Sequence, residues 1–338
     1  MTTATLTRPL RLGTRGSALA VAQSQKVAAL VREATGRQVE LVEIVTPGDR
    51  SNAPVARLGV GVFVSALRDA LLAGQIDLAV HSYKDLPTQQ ADGLVIAAVP
   101  EREDPRDVLV SRDGASLATL LARSGVRIGT GAPRRIAQLL AAARQQRTDR
   151  TGDAPGVECV PIRGNVDTRL RRVLGPDPDL DAVVLARAGL SRLGRADVIT
   201  EVIDPDLILP APAQGALAVE CRAGDTGLAA DLAAFDHPAT RAAVTAERAL
   251  LAELQAGCSA PVGALATVTP APAAATAPTG PATHHDSLHL RGAVIAVDGG
   301  TVVRMSDTGT LSDADSVGRR LAAALLDAGA DSLLGSTR

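Results

Sequence analysis

The residues best suited to chemistry in this chain are arginines that follow predicted strands, where the chain turns into a helix. They are Arg15, Arg134, Arg135, Arg163 and Arg192. A cation at a helix N-terminus opposes the helix dipole by roughly a few tenths of a kcal/mol, so the placement costs stability unless an anion binds there. Free backbone N–H groups at the same helix ends attract an anion as well. We therefore predict an anion-binding cleft, and the arginine fork favours carboxylates as its ligands.

Each arginine taken alone is better explained as solvated, or as paired with a nearby Asp or Glu. Several of them at the same edge of two predicted sheets favour one shared cleft instead. The pattern does not say which anion binds.

A second chemical signal is the pair Lys84 and Asp85, which follows a predicted buried strand at 76–80. Lysine occurs only at Lys26 and Lys84, so Lys84 is either a plain surface charge or a position that requires a compact donor. Asp85 is either a salt-bridged turn residue or a carboxylate that holds a substrate N–H or shuttles a proton. We expect Asp85 to be the one carboxylate in this cationic neighbourhood.

The three cysteines, Cys159, Cys221 and Cys258, are too few and too scattered for a disulfide framework. Their spacing also lacks the paired ligands of a zinc site, so no metal is expected. Cys159 and Cys221 lie in or beside predicted strands and are expected to be small core residues. Cys258 follows Gly257 at a predicted helix C-terminus, where the dipole disfavours a thiolate. It is therefore a poor fast nucleophile, although it can trap a strong electrophile slowly and permanently.

The composition argues against nucleic acid and membranes as partners. The 338 residues carry a formal net charge of -2, and only 1% are aromatic. No global basic field draws the protein to nucleic acid or an anionic membrane, and platforms for stacked bases are scarce. Residues 1–10 lack the apolar stretch of a signal peptide, and no run is long enough to span a bilayer. We expect a cytoplasmic monomer that acts on a small molecule.

Strands and helices alternate in two successive units. In the first unit we expect strands at 11–14, 39–45 and 76–80, with helices over 17–36 and 62–73. In the second unit we expect strands at 126–130, 158–162 and 182–186. The charged run 101–107 and the stiff run 209–213 are interpreted as crossings between the units, and 216–220 as a strand that returns to the first. Such alternation predicts parallel sheets that bind ligands beyond the carboxyl ends of their strands.

A third, smaller domain follows. It is expected to contain a helix over 238–257, a Pro/Ala-rich surface loop at 269–283, strands at 288–297 and 301–305, and a helix over 313–326. The predicted fold class is α/β, with two hinged doubly wound domains and a small α+β C-terminal domain. The domains are expected at 1–100 with 216–234, at 106–209, and at 238–338.

Six strings of this sequence together resemble the porphobilinogen deaminase family, over nearly the whole chain. They are Thr-Arg-Gly-Ser-Ala-Leu-Ala at 14–20, His-Ser-Tyr-Lys-Asp-Leu-Pro at 81–87, Glu-Arg-Glu-Asp-Pro-Arg-Asp at 101–107, Arg-Gly-Asn-Val-Asp-Thr-Arg at 163–169, Ala-Gln-Gly-Ala at 213–216, and Val-Thr-Ala-Glu-Arg at 244–248 with Gly257-Cys258. The strings at 81–87 and 163–169 are specific in combination.

The resemblance implies a three-domain fold whose first two domains are hinged like those of periplasmic binding proteins. It implies a dipyrromethane cofactor, built from the enzyme's own substrate and attached to Cys258 by a thioether. Four porphobilinogen molecules would be deaminated and joined head to tail on this primer, and hydrolysis of the bond to the primer would release hydroxymethylbilane. Asp85 would be the catalytic residue, contacting pyrrole nitrogens and assisting the loss of ammonia that gives an azafulvene electrophile.

The resemblance also assigns the binding residues. Those implied for the cofactor, besides Cys258, are Ser17, Lys84, Asp85, Thr130, Arg134, Arg135 and Arg163. Those implied for the substrate are Arg15, Arg163, Arg169 and Arg192. The competing hypothesis is a non-catalytic carboxylate-binding protein of the same two-lobe fold, in which Cys258 and the third domain have no role.

Three stretches depart from the family pattern. Residues 46–49 read Thr-Pro-Gly-Asp where many members have Thr-Arg-Gly-Asp, and 58–61 read Leu-Gly-Val-Gly without the usual lysine. Gly131 and Ala132 replace two serines. The hydroxyl contacts of those two serines are therefore lost, and backbone N–H groups would have to supply the hydrogen bonds in their place.

Overall fold

Strands and helices alternate along most of the chain, and the computed structural model describes residues 8–45, 62–148, 156–257, 260–271 and 286–334. The strands are β1 (Leu10–Thr14), β2 (Val39–Glu43), β3 (Leu78–Ser82), β4 (Leu94–Ala98), β5 (Asp107–Ser111), β6 (Val126–Thr130), β7 (Val157–Pro161), β8 (Ala182–Ala186), β9 (Glu201–Val202), β10 (Leu217–Arg222), β11 (Val262–Thr269), β12 (Ser287–Ile295) and β13 (Val302–Thr310). The α-helices are α1 (Ala18–Thr35), α2 (Val62–Leu72), α3 (Leu117–Leu121), α4 (Pro133–Thr148), α5 (Val166–Leu174), α6 (Arg187–Arg192), α7 (Thr226–Ala233), α8 (Pro238–Glu253) and α9 (Ala314–Asp327).

Two five-stranded sheets share one topology. Their strand orders are β2-β1-β3-β10-β4 and β7-β6-β8-β5-β9. In the first sheet β1 is parallel to β2 and β3, and in the second β6 is parallel to β7 and β8. The fourth strand of each, β10 or β5, is antiparallel to both neighbours. Each of these antiparallel strands is the first that the chain forms after crossing from the other sheet.

This arrangement brings the crossings to the ligand-binding edge of the sheets. An antiparallel strand begins where its parallel neighbours end, so Asp107 pairs with Ala186 at the end of β8. Leu217 likewise pairs with Ser82 at the end of β3. Both crossings therefore lie beside the carboxyl ends of the parallel strands, where the sequence predicts the site.

Apolar side chains cover both faces of each sheet. On the first sheet, Val27 and Val31 of α1 pack on one face, and Leu67 and Leu71 of α2 pack on the other. The second sheet has two separate clusters in the same way. The α/β class with two doubly wound units is confirmed, and the proposed domain boundaries remain predictions.

The third domain is an antiparallel sheet of order β11-β12-β13 covered by α8 and α9. Strand β11 lies in a stretch, 257–288, where no strand was predicted. The helix predicted to run to Gly257 ends at Glu253, and the chain turns at Gln255, whose φ is 49°. The loop predicted at 269–283 lies mostly outside the described residues, as does the whole of 47–61.

Glu247 of α8 binds both crossings and a strand of the third domain. Its carboxylate accepts two hydrogen bonds from Arg102 at 2.7 and 2.9 Å, one from the N–H of Ala213 and one from the N–H of Ala266. Arg102 and Ala213 belong to the two crossings, and Ala266 belongs to β11. A buried carboxylate is stable only with such complete pairing, so the crossings and the third domain hold one another in place.

Gly215 allows the two crossings to touch. It has a φ of 86°, and a Cβ there would lie 2.5 Å from the carbonyl oxygen of Glu103. The N–H of Glu103 donates to the carbonyl of Gly215. Only glycine supplies both this conformation and this close approach.

Within the described ranges, no helix is long and apolar enough to cross a membrane. The same residues contain no group of three or more His, Cys, Asp or Glu side chains that could hold a metal ion.

Candidate active site

The structure places most of the implied site residues where the parallel strands of both sheets end. In the first sheet, Arg15 and Ser17 follow β1, and Lys84 and Asp85 follow β3. In the second, Thr130 ends β6, Arg134 and Arg135 lie in the first turn of α4, Arg163 follows β7, Arg169 lies in α5, and Arg192 ends α6 after β8. Cys258 lies outside the described residues.

The turn that carries Lys84 and Asp85 is a 3-10 helix, Tyr83–Asp85. Asp85 is exposed at its end, and Lys84 is partly buried. The Lys84 ammonium donates to Oε1 of Gln214 at 3.4 Å. Burial lowers the pKa of Lys84 to about 8, the negative charge of Asp85 acts to raise it, and Arg135 acts to lower it. The positive charge of Arg135, which follows a strand of the second sheet, therefore acts on Lys84, which follows a strand of the first.

Arg134 and Arg135 form a buried ion triad with Asp107. Each guanidinium donates through Nη2 to one Asp107 oxygen at 2.8 Å, and the three residues are 4%, 5% and 0% exposed. Burial acts to raise the pKa of Asp107, but the charges of Arg134 and Arg135 outweigh it and hold that pKa well below its usual range. The expectation that Asp85 is the one carboxylate among these cations is wrong, because Asp107 lies among them too.

One donor of the triad has no hydrogen-bond partner. Nη1 of Arg134 donates to the carbonyl of Leu209, and Nη1 of Arg135 donates to the carbonyl of Val184. Nε of Arg135 is buried and has no hydrogen-bond partner. A buried donor without a partner costs about 1–3 kcal/mol, so this position favours an added acceptor.

Gln214 joins the two lobes at the centre of this site, and the sequence analysis gave it no role. It is 1% exposed. Its Nε2 donates to Asp107 and to the carbonyl of Pro105, both at 2.7 Å, while its Oε1 accepts from Lys84. The sequence offered one indication of a role for Gln214, its position in the Ala-Gln-Gly-Ala string at 213–216. That string was used only to support the family resemblance.

Arg169 of the second sheet lies near two other arginines. Burial lowers the pKa of Arg169, and the charges of Arg135 and Arg163 lower it further. Nε of Arg169 donates to the carbonyl of Gly164 at 2.9 Å. The positive charges of Arg135, Arg163 and Arg169 therefore lie close together in the second sheet's half of the site.

Arg192 is another partly buried arginine, and it contacts the crossing near Gly215. Its Nη2 donates to the carbonyl of Gly215 at 2.6 Å, while its buried Nε lacks a hydrogen-bond partner. Burial lowers the pKa of Arg192, and the charge of Glu103 opposes that shift. Arg192 therefore offers a second buried donor at the cleft.

Ser17 and Thr130 support the edges of the two lobes. The Ser17 hydroxyl accepts the N–H of Ala20 at 3.3 Å and so caps α1. Thr130 is fully buried, and its hydroxyl oxygen accepts the N–H of Ala132 at 3.4 Å. A Cβ on Gly131 would lie 2.6 Å from the carbonyl oxygen of Ile162. A serine at this position would therefore require the backbone to shift.

Cys159 and Cys221 do not take part in the site. Burial raises the pKa of each thiol to about 11. Cys221 is fully buried in the core of the first sheet, and Cys159 packs partly buried against that of the second. Both thiols are therefore unreactive at neutral pH.

Fold and site together define a class: a two-lobe α/β protein with arginines gathered where the parallel strands of both sheets end, joined to a smaller third domain. Residues 10–230 match the family model described as porphobilinogen deaminase, dipyromethane cofactor binding domain. Residues 241–327 match the model of the porphobilinogen deaminase C-terminal domain. The chain belongs to the porphobilinogen deaminase family.

Curated relatives agree over nearly the full length. The porphobilinogen deaminase of Nocardia farcinica is 56% identical over 327 residues, which cover 96% of this chain and 88% of the relative. Porphobilinogen deaminase 1 of Streptomyces coelicolor is 54% identical over 333 residues, with 97% and 98% covered. The porphobilinogen deaminase of Mycobacterium tuberculosis is 52% identical over 332 residues, with 97% and 99% covered.

Two solved structures show weaker similarity. The methionine binding protein MetQ has a TM-score of 0.38 at 13% identity, with 67% of this chain and 88% of that chain covered. Immunogenic lipoprotein A from Vibrio vulnificus has a TM-score of 0.38 at 15% identity, with 69% and 96% covered.

Proposed function

We propose that this chain is a transferase, a hydroxymethylbilane synthase, that deaminates four porphobilinogen molecules and joins them head to tail on a covalent dipyrromethane primer. One observation carries the proposal at the level of the site. Gln214 accepts a hydrogen bond from Lys84, the neighbour of Asp85, and donates one to Asp107. Asp107 in turn accepts hydrogen bonds from Arg134 and Arg135 of the second sheet. This chain of hydrogen bonds supports the proposal that proton chemistry and carboxylate binding share one cleft.

The residues present fit a dipyrromethane with its acidic side groups. The buried Nε donors of Arg135 and Arg192 have no hydrogen-bond partner, and carboxylates are the acceptors that arginine forks prefer. The residues that would hold the cofactor are Ser17, Lys84, Asp85, Thr130, Arg134, Arg135 and Arg163, with Cys258 as its covalent anchor. When bound, the cofactor supplies the free α-carbon onto which the substrate units are joined.

Asp85 is proposed as the catalytic residue. Its carboxylate is exposed at the end of the Tyr83–Asp85 turn, so it can accept hydrogen bonds from pyrrole N–H groups and take part in proton transfer. Loss of ammonia from the substrate leaves a positively charged carbon, and a nearby anion stabilises that charge. Asp85 supplies this anion, and Lys84 pairs with the side-chain carboxylates.

The remaining arginines are proposed to bind the growing product. Each added pyrrole brings two more carboxylates, so the cleft needs a surplus of donors as the chain lengthens. Arg15, Arg163, Arg169 and Arg192 are proposed to bind the substrate carboxylates. A charge-assisted hydrogen bond of this kind contributes about 1.5–3 kcal/mol. The proposal includes a cytoplasmic, monomeric enzyme whose partner is a small molecule.

The reaction stoichiometry tests this function. Purified protein is incubated with porphobilinogen, and substrate loss, ammonia and hydroxymethylbilane are each quantified. We expect four ammonia molecules and one hydroxymethylbilane for every four porphobilinogen molecules consumed. Binding of porphobilinogen without release of ammonia would instead support a non-catalytic carboxylate-binding protein.

A further inference from the structure

Arg248 of α8 contacts the turn that carries Lys84 and Asp85, although it belongs to the third domain. Its Nη1 donates to the carbonyls of Tyr83 at 3.3 Å and Leu86 at 3.0 Å. Its Nη2 donates to the carbonyl of Pro87 at 2.6 Å. One guanidinium thus spans the backbone on both sides of Asp85.

The same guanidinium stacks on the ring of Tyr83. Its central carbon lies 4.5 Å from the ring centroid, which is within the range of a cation–π contact. Tyr83 itself packs against Val99, Ala216 and Val244. The turn is therefore held through its backbone and through its aromatic side chain.

The position of Arg248 along the chain links this turn to the third domain. The preceding residue, Glu247, holds both crossings, and Arg248 holds the turn of Asp85. Arg248 also precedes Cys258 by ten residues in the sequence. A rigid helix with these two neighbouring contacts fixes the turn relative to the third domain.

We propose that Arg248 is a positioning residue, which holds the carboxylate of Asp85 in register with the third domain during turnover. This inference rests on the proposed function. Asp85 is exposed at the end of a three-residue turn, so its own contacts do not fix its position. A planar guanidinium can serve three carbonyls at once, whereas a lysine ammonium cannot match the same fork.

Arg248→Gln tests the proposal, with Arg248→Lys as the conservative variant. Because the arginines that bind carboxylates are untouched, we expect KM for porphobilinogen to change less than about threefold. A misplaced catalytic group costs about 10²-fold in rate, so kcat is expected to fall by about that factor. Arg248→Lys should recover part of this loss, because it keeps the charge and one donor group.

Arg241 provides the matched control on the same helix. It also reaches carbonyls of the first domain, those of Ile96 and Ala97, and it pairs with Asp236 at 2.7 Å. We expect Arg241→Gln to keep the kcat of the unmodified protein. An equal loss of kcat in both variants would show that general interdomain packing, and not the turn, is responsible.

Amide exchange and product formation distinguish a failure of the positioning role from a failure of the proposed function. Hydrogen exchange at the amide of Leu86, which donates to the carbonyl of Tyr83, should be faster in Arg248→Gln. If the variant carries the cofactor and has unchanged kcat, the positioning role is wrong while the proposed function stands. If the unmodified protein forms no hydroxymethylbilane, the proposed function itself fails. If Arg248→Gln does not fold, the kcat and exchange rate of Arg248→Lys decide, and unchanged values there overturn the proposal.

Discussion

Asp107 and Arg135 meet with 2.8 Å between Oδ1 and Nη2, in a region where both side chains are almost completely buried. Arg134 completes the arrangement on the other oxygen of Asp107. One carboxylate therefore neutralises part of the charge of two arginines without satisfying all of their donors. The result is a buried ion triad with a net positive charge beside the carboxyl ends of the second sheet's parallel strands.

Replacing Asp107 should destabilise the protein strongly. In Asp107→Asn the two buried arginines lose their counter-charge, and breaking a buried pair costs about 3–5 kcal/mol. Chemical denaturation measures the loss. The control is Asp113→Asn, which removes an exposed partner of Arg123 and should cost at most about 1 kcal/mol. Equal effects of the two variants would contradict a special role for the buried triad.

The triad also predicts how stability depends on acid. The folded-state pKa of Asp107 is depressed, so its contribution is present above the unfolded pKa of about 3.9 and is lost as pH falls through the folded pKa. We expect Asp107→Asn to be less stable than the unmodified protein at neutral pH, with the difference narrowing only in strong acid. Denaturation curves over a pH series measure this, and a difference that vanishes already near pH 6 would contradict the depressed pKa.

Asp85→Ala should retain the fold and lose turnover. A positioned proton-transfer group contributes at least ~10²-fold, so kcat should fall by that factor or more. Asp85 is exposed, and its removal should leave the thermal midpoint nearly unchanged. The matched control is Asp92→Ala, which alters another exposed carboxylate and should keep normal activity. Near-normal turnover in Asp85→Ala would remove Asp85 from the mechanism.

The partly buried Lys84 should react with acylating reagents at a lower pH than an ordinary lysine. Burial lowers the pKa of Lys84 in the folded protein to about 8, whereas a lysine in the unfolded chain has a pKa of about 10.4. The free energy of unfolding should therefore rise with pH between these two pKa values. In the cofactor-free Cys258→Ser variant we expect acetylation of Lys84, followed by peptide mass, to show a midpoint near pH 8. A midpoint near the ordinary value would contradict the burial of this ammonium.

Restoring a serine at Gly131 should destabilise the protein. The new Cβ would lie 2.6 Å from the carbonyl oxygen of Ile162, and overpacking of this kind costs about 1–3 kcal/mol. Gly227→Ser is the control, because nothing lies within 4 Å of a Cβ there. Thermal unfolding of both variants checks the prediction. A Gly131→Ser protein as stable as the unmodified one would show that the backbone can relax.

The sequence predicted the edge of the site better than its interior. Cations at strand-to-helix turns identify Arg15, Arg134 and Arg163 because local pattern alone places them beyond strand ends. Asp107 and Gln214 were missed because their roles depend on how the crossings fold back, which no local periodicity encodes. The end of α8 was misplaced because helix propensity continues past Glu253, whereas the chain turns at Gln255.

Arg248 illustrates the same limit. Its helical position was predictable from the run that begins at Pro238, but its contact with residues 83–87 joins segments more than 160 residues apart. Such a contact is fixed by tertiary packing. Only the family resemblance singled out the string that contains Arg248, and that resemblance gave it no role.

The intact mass of the denatured protein tests the central claim most directly. If the cleft serves a covalently held primer, the unmodified protein should be heavier than its sequence by two pyrrole units, and peptide mapping should locate the addition on Cys258. Cys258→Ser should show the bare polypeptide mass. A bare mass for the unmodified protein, or an addition that persists in Cys258→Ser, would contradict the account.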